Sequence, residues 1–476
     1  MIVELTAVRL VAPFFGSSMD VWSTIIALIM AALALGYFLG GQLSQKTKNQ
    51  DQAVFLILAV AGIFIGLSYR LVEPIVSFAS VSLYLSKAPI SLKTSLVIFT
   101  LFFLPVLLLG SIYPLMINFL KRGQKAGPIS GKIFAISTAG SILGTLLPAF
   151  VLIPIIGTKA TFLITGILLE ILAAIGTKGL KKLIPLFSLL VLLFFGRHFF
   201  SPAQNPILDP NTIYYKESSY QEIRVKKYEN QYFLYLGHSP YISSIYDPDS
   251  IFTDDVFDYL ALIPLFLEKS ENLDVLIIGL GAGTVSDKLD RLYSSTYSLS
   301  IDGVEIDPEV VKVGKKFFNL ARTCLNIFEM DGRTFLRETQ KKYDLIIADA
   351  YARQAYVPFH LATREFFLLA KNHLKDKGVL AMNIAGPQNT YRYNALSQTI
   401  KSAFEFAYLF SPEDINQTNN IIIAANIPLD TKNPFVQEIP PQLKNLAGVV
   451  SRTRLKPISL TDPSLILNDD KAKERI

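Results

Sequence analysis

Four short stretches in the second half of the chain could do chemistry together. The first, Asp274-Val275-Leu276-Ile277-Ile278-Gly279-Leu280-Gly281-Ala282-Gly283-Thr284, is a buried-strand pattern running into G-x-G-x-G and the start of a helix. Glycines there let the backbone pass close to a nucleoside or phosphate. The second is Val304-Glu305-Ile306-Asp307, with Glu305 26 residues after Gly279. A carboxylate at the end of a second strand can accept hydrogen bonds from both ribose hydroxyls. The third is Met330-Asp331-Gly332 and the fourth is Tyr343-Asp344-Leu345-Ile346-Ile347-Ala348-Asp349-Ala350-Tyr351. The G-x-G-x-G form lacks the third glycine of a dinucleotide fingerprint, which favours an S-adenosyl-type nucleoside over NAD. Acidic groups also suit a sulfonium cation.

These residues converge only if the elements between them alternate. Short β-branched runs at Val275–Ile278, Ser300–Ile306, Leu345–Ala348, Val379–Ile384 and Ile421–Ala424 are separated by helical patterns. This predicts a doubly wound α/β sheet, with the four stretches at consecutive strand ends on the rim where such sheets bind ligands. Upstream, Ile223-Arg224-Val225 and Tyr232-Phe233-Leu234-Tyr235 flank the turn-prone Tyr228-Glu229-Asn230-Gln231, a β-hairpin signal.

The first half is different in kind. Of 476 residues, 51% are hydrophobic, and mean hydropathy is +0.39, too apolar for an ordinary soluble enzyme and far from disorder. Apolar runs at about 21–43, 53–72, 95–119, 133–156, 160–176 and 183–200 are each close to the length of a membrane-crossing helix, predicting six spans. Residues 1–15 and 74–86 are weaker candidates, and no cleavable leader is visible. Gly36/Gly40, Gly62/Gly66 and Gly140/Gly144 have the G-x-x-x-G spacing of close helix packing. The domain expectation is residues 1–200 in the membrane, 201–270 as linker and small β region, 271–430 as the nucleoside-binding α/β domain, and 431–476 as a tail without a usable motif. Cys324 is the one cysteine, which excludes an intrachain disulfide.

The net charge of +6 divides unevenly. Residues 1–200 hold 15 Lys and Arg against 5 Asp and Glu, leaving 30 against 34 for the rest. The basic character belongs to membrane loops, so a nucleic-acid partner loses its support. Loops at 45–52, 120–132 and 177–183 carry Lys46, Lys48, Lys121, Arg122, Lys125, Lys132, Lys178, Lys181 and Lys182. With six spans the positive-inside rule makes these loops cytoplasmic and puts the α/β domain outside. A cytosolic nucleoside substrate argues the reverse, and a multi-pass membrane protein with a cytoplasmic α/β domain is the expectation taken. His238, His360 and His373 have no metal-ligand spacing, and no metal is expected. Ser239 reads as a loop residue, and Lys312, Lys315 and Lys316 as a solvated helix face.

From about Tyr220 to Ile384 the chain resembles the spermidine synthases, the polyamine aminopropyltransferases. With Glu4-Leu5-Thr6-Ala7-Val8-Arg9-Leu10-Val11-Ala12-Pro13, Gly16-Ser17-Ser18 and Ser137-Thr138-Ala139-Gly140-Ser141-Ile142-Leu143-Gly144, the whole chain resembles their membrane-fused relatives. The resemblance implies a multi-pass α-helical membrane domain followed by a Rossmann-like methyltransferase/spermidine synthase domain, with a small β-hairpin region at its start. It implies aminopropyl transfer from decarboxylated S-adenosylmethionine, a co-substrate rather than a tightly bound cofactor, to an amine such as putrescine. On the same ground Asp349 is catalytic. Gln221, Gly279, Gly281, Gly283, Glu305, Asp331, Gly332 and Pro358 bind the nucleoside, and Asp258, Tyr351 and Tyr356 are offered for the acceptor. Expected partners are a small cationic amine and the lipid bilayer, with a homo-oligomer left open and no nucleic acid. Two positions depart from the family: Ala282 replaces an acid in the glycine loop, and Ala352 replaces a second aspartate. An S-adenosylmethionine-dependent methyltransferase, and a membrane transporter or polyamine sensor with a non-catalytic nucleoside-binding domain, remain the competing readings.

Overall fold

The computed structural model describes residues 1–15, 19–84, 90–120, 126–196, 209–237, 241–321, 324–351, 356–410, 419–431 and 455–470. The chain divides into two compact units, Met1–Asp209 with Lys216–Tyr220, and Pro210–Tyr215 with Gln221–Ile476.

The first unit is helical. It contains α1 (Ile2–Phe15), α2 (Met19–Lys46), α3 (Gln50–Tyr84), α4 (Ile90–Ile98), α5 (Leu104–Leu120), α6 (Ala126–Leu147), α7 (Ile153–Gly176) and α8 (Leu183–Gly196). Single π turns, Phe99–Phe103 and Pro148–Leu152, join α4 to α5 and α6 to α7. Among the described residues five helical segments are long and apolar enough to cross a membrane. One of them, Gly127–Gly176, has 50 residues, enough for two crossings, and it is broken at Gly157, whose φ of 82° and ψ of 166° leave the helical region. Residues 74–84 are no separate span: they continue α3 through Pro74. Large apolar side chains face outward, with Phe150, Ile155 and Ile175 exposed by 73, 74 and 76%. A surface of that kind marks contact with lipid or another apolar partner.

Close packing follows two of the three glycine pairs. A Cβ on Gly36 would lie 2.2 Å from the Leu107 carbonyl of α5, and one on Gly40 would lie 2.5 Å from that of Ser111. Gly62 and Gly66 of α3 face Gly166 of α7, where an added Cβ would come within 2.6 Å of the Gly66 Cα. Gly140 breaks the pattern, since nothing lies within 4 Å of its Cβ position.

The second unit holds two sheets. Strands β1 (Thr212–Glu217), β2 (Glu222–Tyr228), β3 (Gln231–Leu236) and β4 (Ser244–Tyr246) form a small sheet in that order, with the expected hairpin turning between Tyr228 and Gln231. The large sheet is built from β5 (Asn272–Ile278), β6 (Ser298–Glu305), β7 (Leu325–Glu329), β8 (Tyr343–Ala348), β9 (Leu374–Ala385), β10 (Phe406–Phe410), β11 (Asn419–Ala425) and β12 (Lys456–Pro457). Its order is β12-β10-β11-β9-β8-β5-β6-β7, parallel from β9 to β7 and antiparallel beyond. Helices α9 (Val256–Leu260), α10 (Thr284–Tyr293), α11 (Pro308–Phe317), α12 (Gly332–Glu338), α13 (Arg364–Asn372) and α14 (Tyr391–Ala403) connect and cover it. Apolar cores fill both faces, one around Ile277 and Ile347 and the other around Leu276 and Ile346, as the period-2 alternation of a doubly covered sheet requires.

Register brings the chemistry together. Ile278 pairs with Val304 on one side and Ala348 on the other, so Gly279, Glu305 and Asp349 leave the sheet level with one another. Because β5 runs on to β6 in one direction while β8 lies on its opposite flank, this is the switch point at which open α/β sheets form a crevice.

Candidate functional site

A cavity of about 700 Å³ opens at these strand ends. Its wall includes Gln221, Gly279, Gly281, Glu305, Asp331, Gly332, Asp349, Tyr351 and Pro358, all expected from the sequence, together with Asp255, His360, Asn383 and Arg392.

The glycine loop is fixed from both sides. The amides of Gly279 and Leu280 donate to the Val304 carbonyl at 3.0 Å each, and Gly281 N donates to Glu305 Oε2 at 2.9 Å. Gly279 has a φ of 87°, and a Cβ there would sit 2.6 Å from the Asp349 carbonyl oxygen and from the Ala350 Cα. Only glycine combines that conformation with that approach. Ala282 N donates to Ser244 Oγ at 2.9 Å, and Thr284 Oγ1 bridges the Ile245 amide and carbonyl, tying β4 to the loop.

Glu305 is buried, and its second oxygen accepts from Asp307 N at 3.1 Å. Burial pushes its carboxyl up to about 7, despite those amide hydrogen bonds. Asp331 caps α12 by accepting from Thr334 N at 2.9 Å, and its other oxygen lies 2.6 Å from His360 Nε2. The His360 contact holds Asp331 down at about 2. Asp349 is anchored by its own amide, which donates to the Ile278 carbonyl at 2.9 Å, and its Oδ1 accepts from Asn383 Nδ2 at 2.9 Å. Desolvation raises it to about 7; the Asn383 hydrogen bond opposes the shift, and the nearby Asp255 charge adds to it. Tyr351 donates to the Asn383 carbonyl at 2.6 Å and accepts from Ala385 N at 2.9 Å. Burial lifts its phenol well above the usual range.

Three expected residues sit elsewhere. Asp258, expected to hold the acceptor amine, does not line the cavity: its carboxylate accepts from the amides of Thr253 and Asp254 and pairs with Lys288 at 2.6 Å, both side chains being at most 3% exposed. A salt bridge so enclosed has no face left for a ligand. Gly283 serves packing, since a Cβ there would strike Leu320 at 2.2 Å. Tyr356 is absent from the cavity lining, and the Arg392 guanidinium lies over its ring at 4.5 Å. Ala352, His238 and Ser239 are outside the described residues.

Sequence reasoning passed over Asn383 and Arg392. Asn383 is the polar residue in the apolar run Val379–Ile384, the one local sign of its role. The tail also contributes: Asp469 takes both terminal nitrogens of the buried Arg333, at 2.8 and 2.6 Å.

Residues 256–424 match the spermine/spermidine synthase domain. The match covers 169 of the 476 residues, a little over a third of the chain. Beyond it, the chain is similar to a probable polyamine aminopropyl transferase of Bifidobacterium longum, 27% identical over 56% of this chain and 61% of that protein. It is similar to a polyamine aminopropyltransferase of Vibrio vulnificus, 32% identical over 39% of this chain and 59% of that protein. Similarity to polyamine aminopropyltransferase 2 of Aquifex aeolicus, 23% identical, extends over 86% of this chain and 81% of that protein, and so takes in the helical half. The chain spans about three fifths of the length of the first two relatives. Within the matched residues the glycine loop and three acidic strand ends line one cavity together with Asn383 and Arg392.

Proposed function

We propose that the synthase domain transfers the aminopropyl group of decarboxylated S-adenosylmethionine to an amine, releasing methylthioadenosine. The observation that carries this reading is Asp349, raised to about 7 and held by Asn383 in the same cavity as Glu305 and Asp331. In this reading Glu305 accepts from the ribose hydroxyls, Asp331 and Gly332 meet the adenine, and Gln221 and Pro358 close over the nucleoside.

The reaction is one in-line displacement. The lone pair of a neutral amine attacks the methylene beside the sulfonium, the C–S bond breaks, and its electron pair stays on sulfur as a thioether. The new ammonium gives a proton to the Asp349 carboxylate. A carboxylate near 7 is closer in basicity to an amine of ~10 than an ordinary one near ~4, and burial selects the uncharged amine as well. Positioning supplies most of the acceleration, with roughly 7–11 kcal/mol available from effective molarity.

For the helical half we propose a multi-pass membrane location, supported by its outward apolar side chains, with the synthase domain on the cytoplasmic side, where a nucleoside donor is made. Loop charge favours the opposite orientation, so protease accessibility in intact cells is the deciding measurement.

The test of the reaction is mass spectrometry of products from decarboxylated S-adenosylmethionine and a panel of amines, with wild type and Asp349→Asn. Methylthioadenosine and an aminopropylated amine are expected from wild type alone. Equal turnover in both would remove Asp349 from the mechanism, and transfer of a methyl group from S-adenosylmethionine would replace the reading.

A further inference from the structure

The nucleoside side of the cavity is assembled from two distant pieces of chain. One is Asp331-Gly332 at the start of α12; the other is the turn after Val357, which puts Pro358, His360 and Leu361 in the wall. At the wall they meet where His360 Nε2 approaches Asp331 Oδ2 at 2.6 Å. The His360 side chain is 46% exposed, and a contact so open to water holds little on its own.

A less exposed set of bonds joins the same two pieces. Arg333, which follows Gly332 and is buried, donates from Nη1 to the His360 carbonyl at 3.2 Å. Both its terminal nitrogens reach Asp469, Nη1 to Oδ1 at 2.8 Å and Nη2 to Oδ2 at 2.6 Å, in a bidentate fork. Asp469 Oδ1 also accepts from Thr363 Oγ1 at 2.8 Å, and Thr363 caps α13 just past the turn. The Arg364 amide donates to the Leu467 carbonyl at 2.8 Å. Leu467–Asp469 therefore bonds to both pieces of the wall, and it is itself held, because Leu467 is buried and its amide donates to Thr399 Oγ1 of α14 at 3.0 Å. A planar fork fixes angle as well as distance, which a single point contact does not.

We propose that Asp469 is a positioning residue for nucleoside binding: through Arg333 and Thr363 it fixes the separation of Asp331-Gly332 from the Pro358–Leu361 turn, and with it the space that takes the base. The proposal rests on the aminopropyl-transfer reading for the identity of the nucleoside. Side chains that bind a ligand keep their geometry only when the residues supporting them are locked in turn. Asp349 is held separately, by Asn383 and by the Ile278 carbonyl, so loss of the brace weakens binding and spares the chemical step.

The test measures the Kd of methylthioadenosine by calorimetry, and kcat and KM for decarboxylated S-adenosylmethionine, on the full chain in detergent. Asp469→Ala should raise Kd and KM about tenfold or more with kcat held within about threefold, the signature of lost binding with intact chemistry. Asp469→Asn keeps the shape and an acceptor for Thr363, and should raise them less. Kd and KM report on folded molecules, so partial unfolding does not imitate the effect. Arg333→Met combined with Asp469→Leu replaces the ion pair by an apolar contact and should recover the melting temperature lost in Asp469→Ala, while Kd stays high. Where that repacking fails, the split between Kd and kcat in Asp469→Ala decides. A Kd restored along with the melting temperature, a Kd unmoved in Asp469→Ala, or a fall in kcat with KM held overturns the proposal, and the transfer reading stands so long as wild type binds methylthioadenosine. No binding by wild type overturns both.

Discussion

Asn383 Nδ2 donates to Asp349 Oδ1 at 2.9 Å, across the parallel pair β8 and β9. This bond stabilises the carboxylate form and holds the free oxygen of Asp349 toward the cavity. It opposes the burial that raises Asp349. Asn383→Leu should therefore move the acidic limb of the kcat/KM profile to higher pH than the value of about 7 expected for wild type. Asp349→Asn should lower turnover by roughly 10²–10⁴, the usual contribution of a positioned base, with methylthioadenosine affinity retained in calorimetry.

Stability should depend on pH in an unusual direction. Asp349 and Glu305 are both raised to about 7, against ordinary values near ~4. Between about 4 and 7 the folded chain holds protons that the unfolded chain has released, so stability is greatest below that window and lost as pH rises through it. Asp331, held at about 2, works the other way: its contribution is present above its ordinary value and is lost as pH falls through about 2. The ligand-free protein should melt at a lower temperature at pH 8 than at pH 5, and a midpoint that climbs over that range would contradict the two raised carboxyls.

Glu305 should serve affinity more than rate. Glu305→Gln removes the anionic acceptor while keeping the shape, and loss of a charged hydrogen bond costs about 1.5–3 kcal/mol. Methylthioadenosine should bind on the order of 10- to 150-fold more weakly by calorimetry.

Asp258 is a structural residue on this geometry. Asp258→Asn leaves Lys288 buried without its partner, which costs about 3–5 kcal/mol, read as a fall in the denaturation midpoint. In the folded fraction the KM for the amine should not change. Asp258→Leu combined with Lys288→Met should recover much of the loss.

Gly279→Ala should damage activity beyond its effect on folding. The added methyl meets the Asp349 carbonyl and the Ala350 Cα at 2.6 Å, at a φ of 87°. Strain of this kind costs about 1–3 kcal/mol, and its relief must move the backbone that carries Asp349. Turnover per folded molecule, normalised by near-UV circular dichroism, is the check.

Much of this site was legible because its residues lie where the hydrophobic period stops. Gly279, Glu305, Asp331 and Asp349 each follow an apolar strand, and parallel pairing alone brings such ends together. Asn383 and Arg392 depend instead on β9 lying beside β8 and on how α14 leaves it, which no local pattern encodes. Phe406–Phe410 escaped notice as a strand because its aromatic run carries no alternation. Asp258 misled by its type: an acid near the expected place reads the same whether it faces a ligand or Lys288. The tail at 431–476 carries no usable motif, yet Asp469 neutralises Arg333, a partnership only tertiary structure reveals.

Ala282 is fully buried in an apolar cluster with Ile223, Val225, Leu234, Val310, Val313 and Phe318, and it is absent from the cavity wall. An acid at this loop position is therefore not accommodated by a single substitution. Ala282→Asp would drive an unpaired carboxylate into the seam between the small sheet and α11, against the bond from its own amide to Ser244. The side chains clustered with that methyl group are apolar, so a carboxylate at this position disrupts their packing. An acid is accommodated there only if several of those apolar neighbours change with it, so this loop position is tied to the packing of the small sheet on α11.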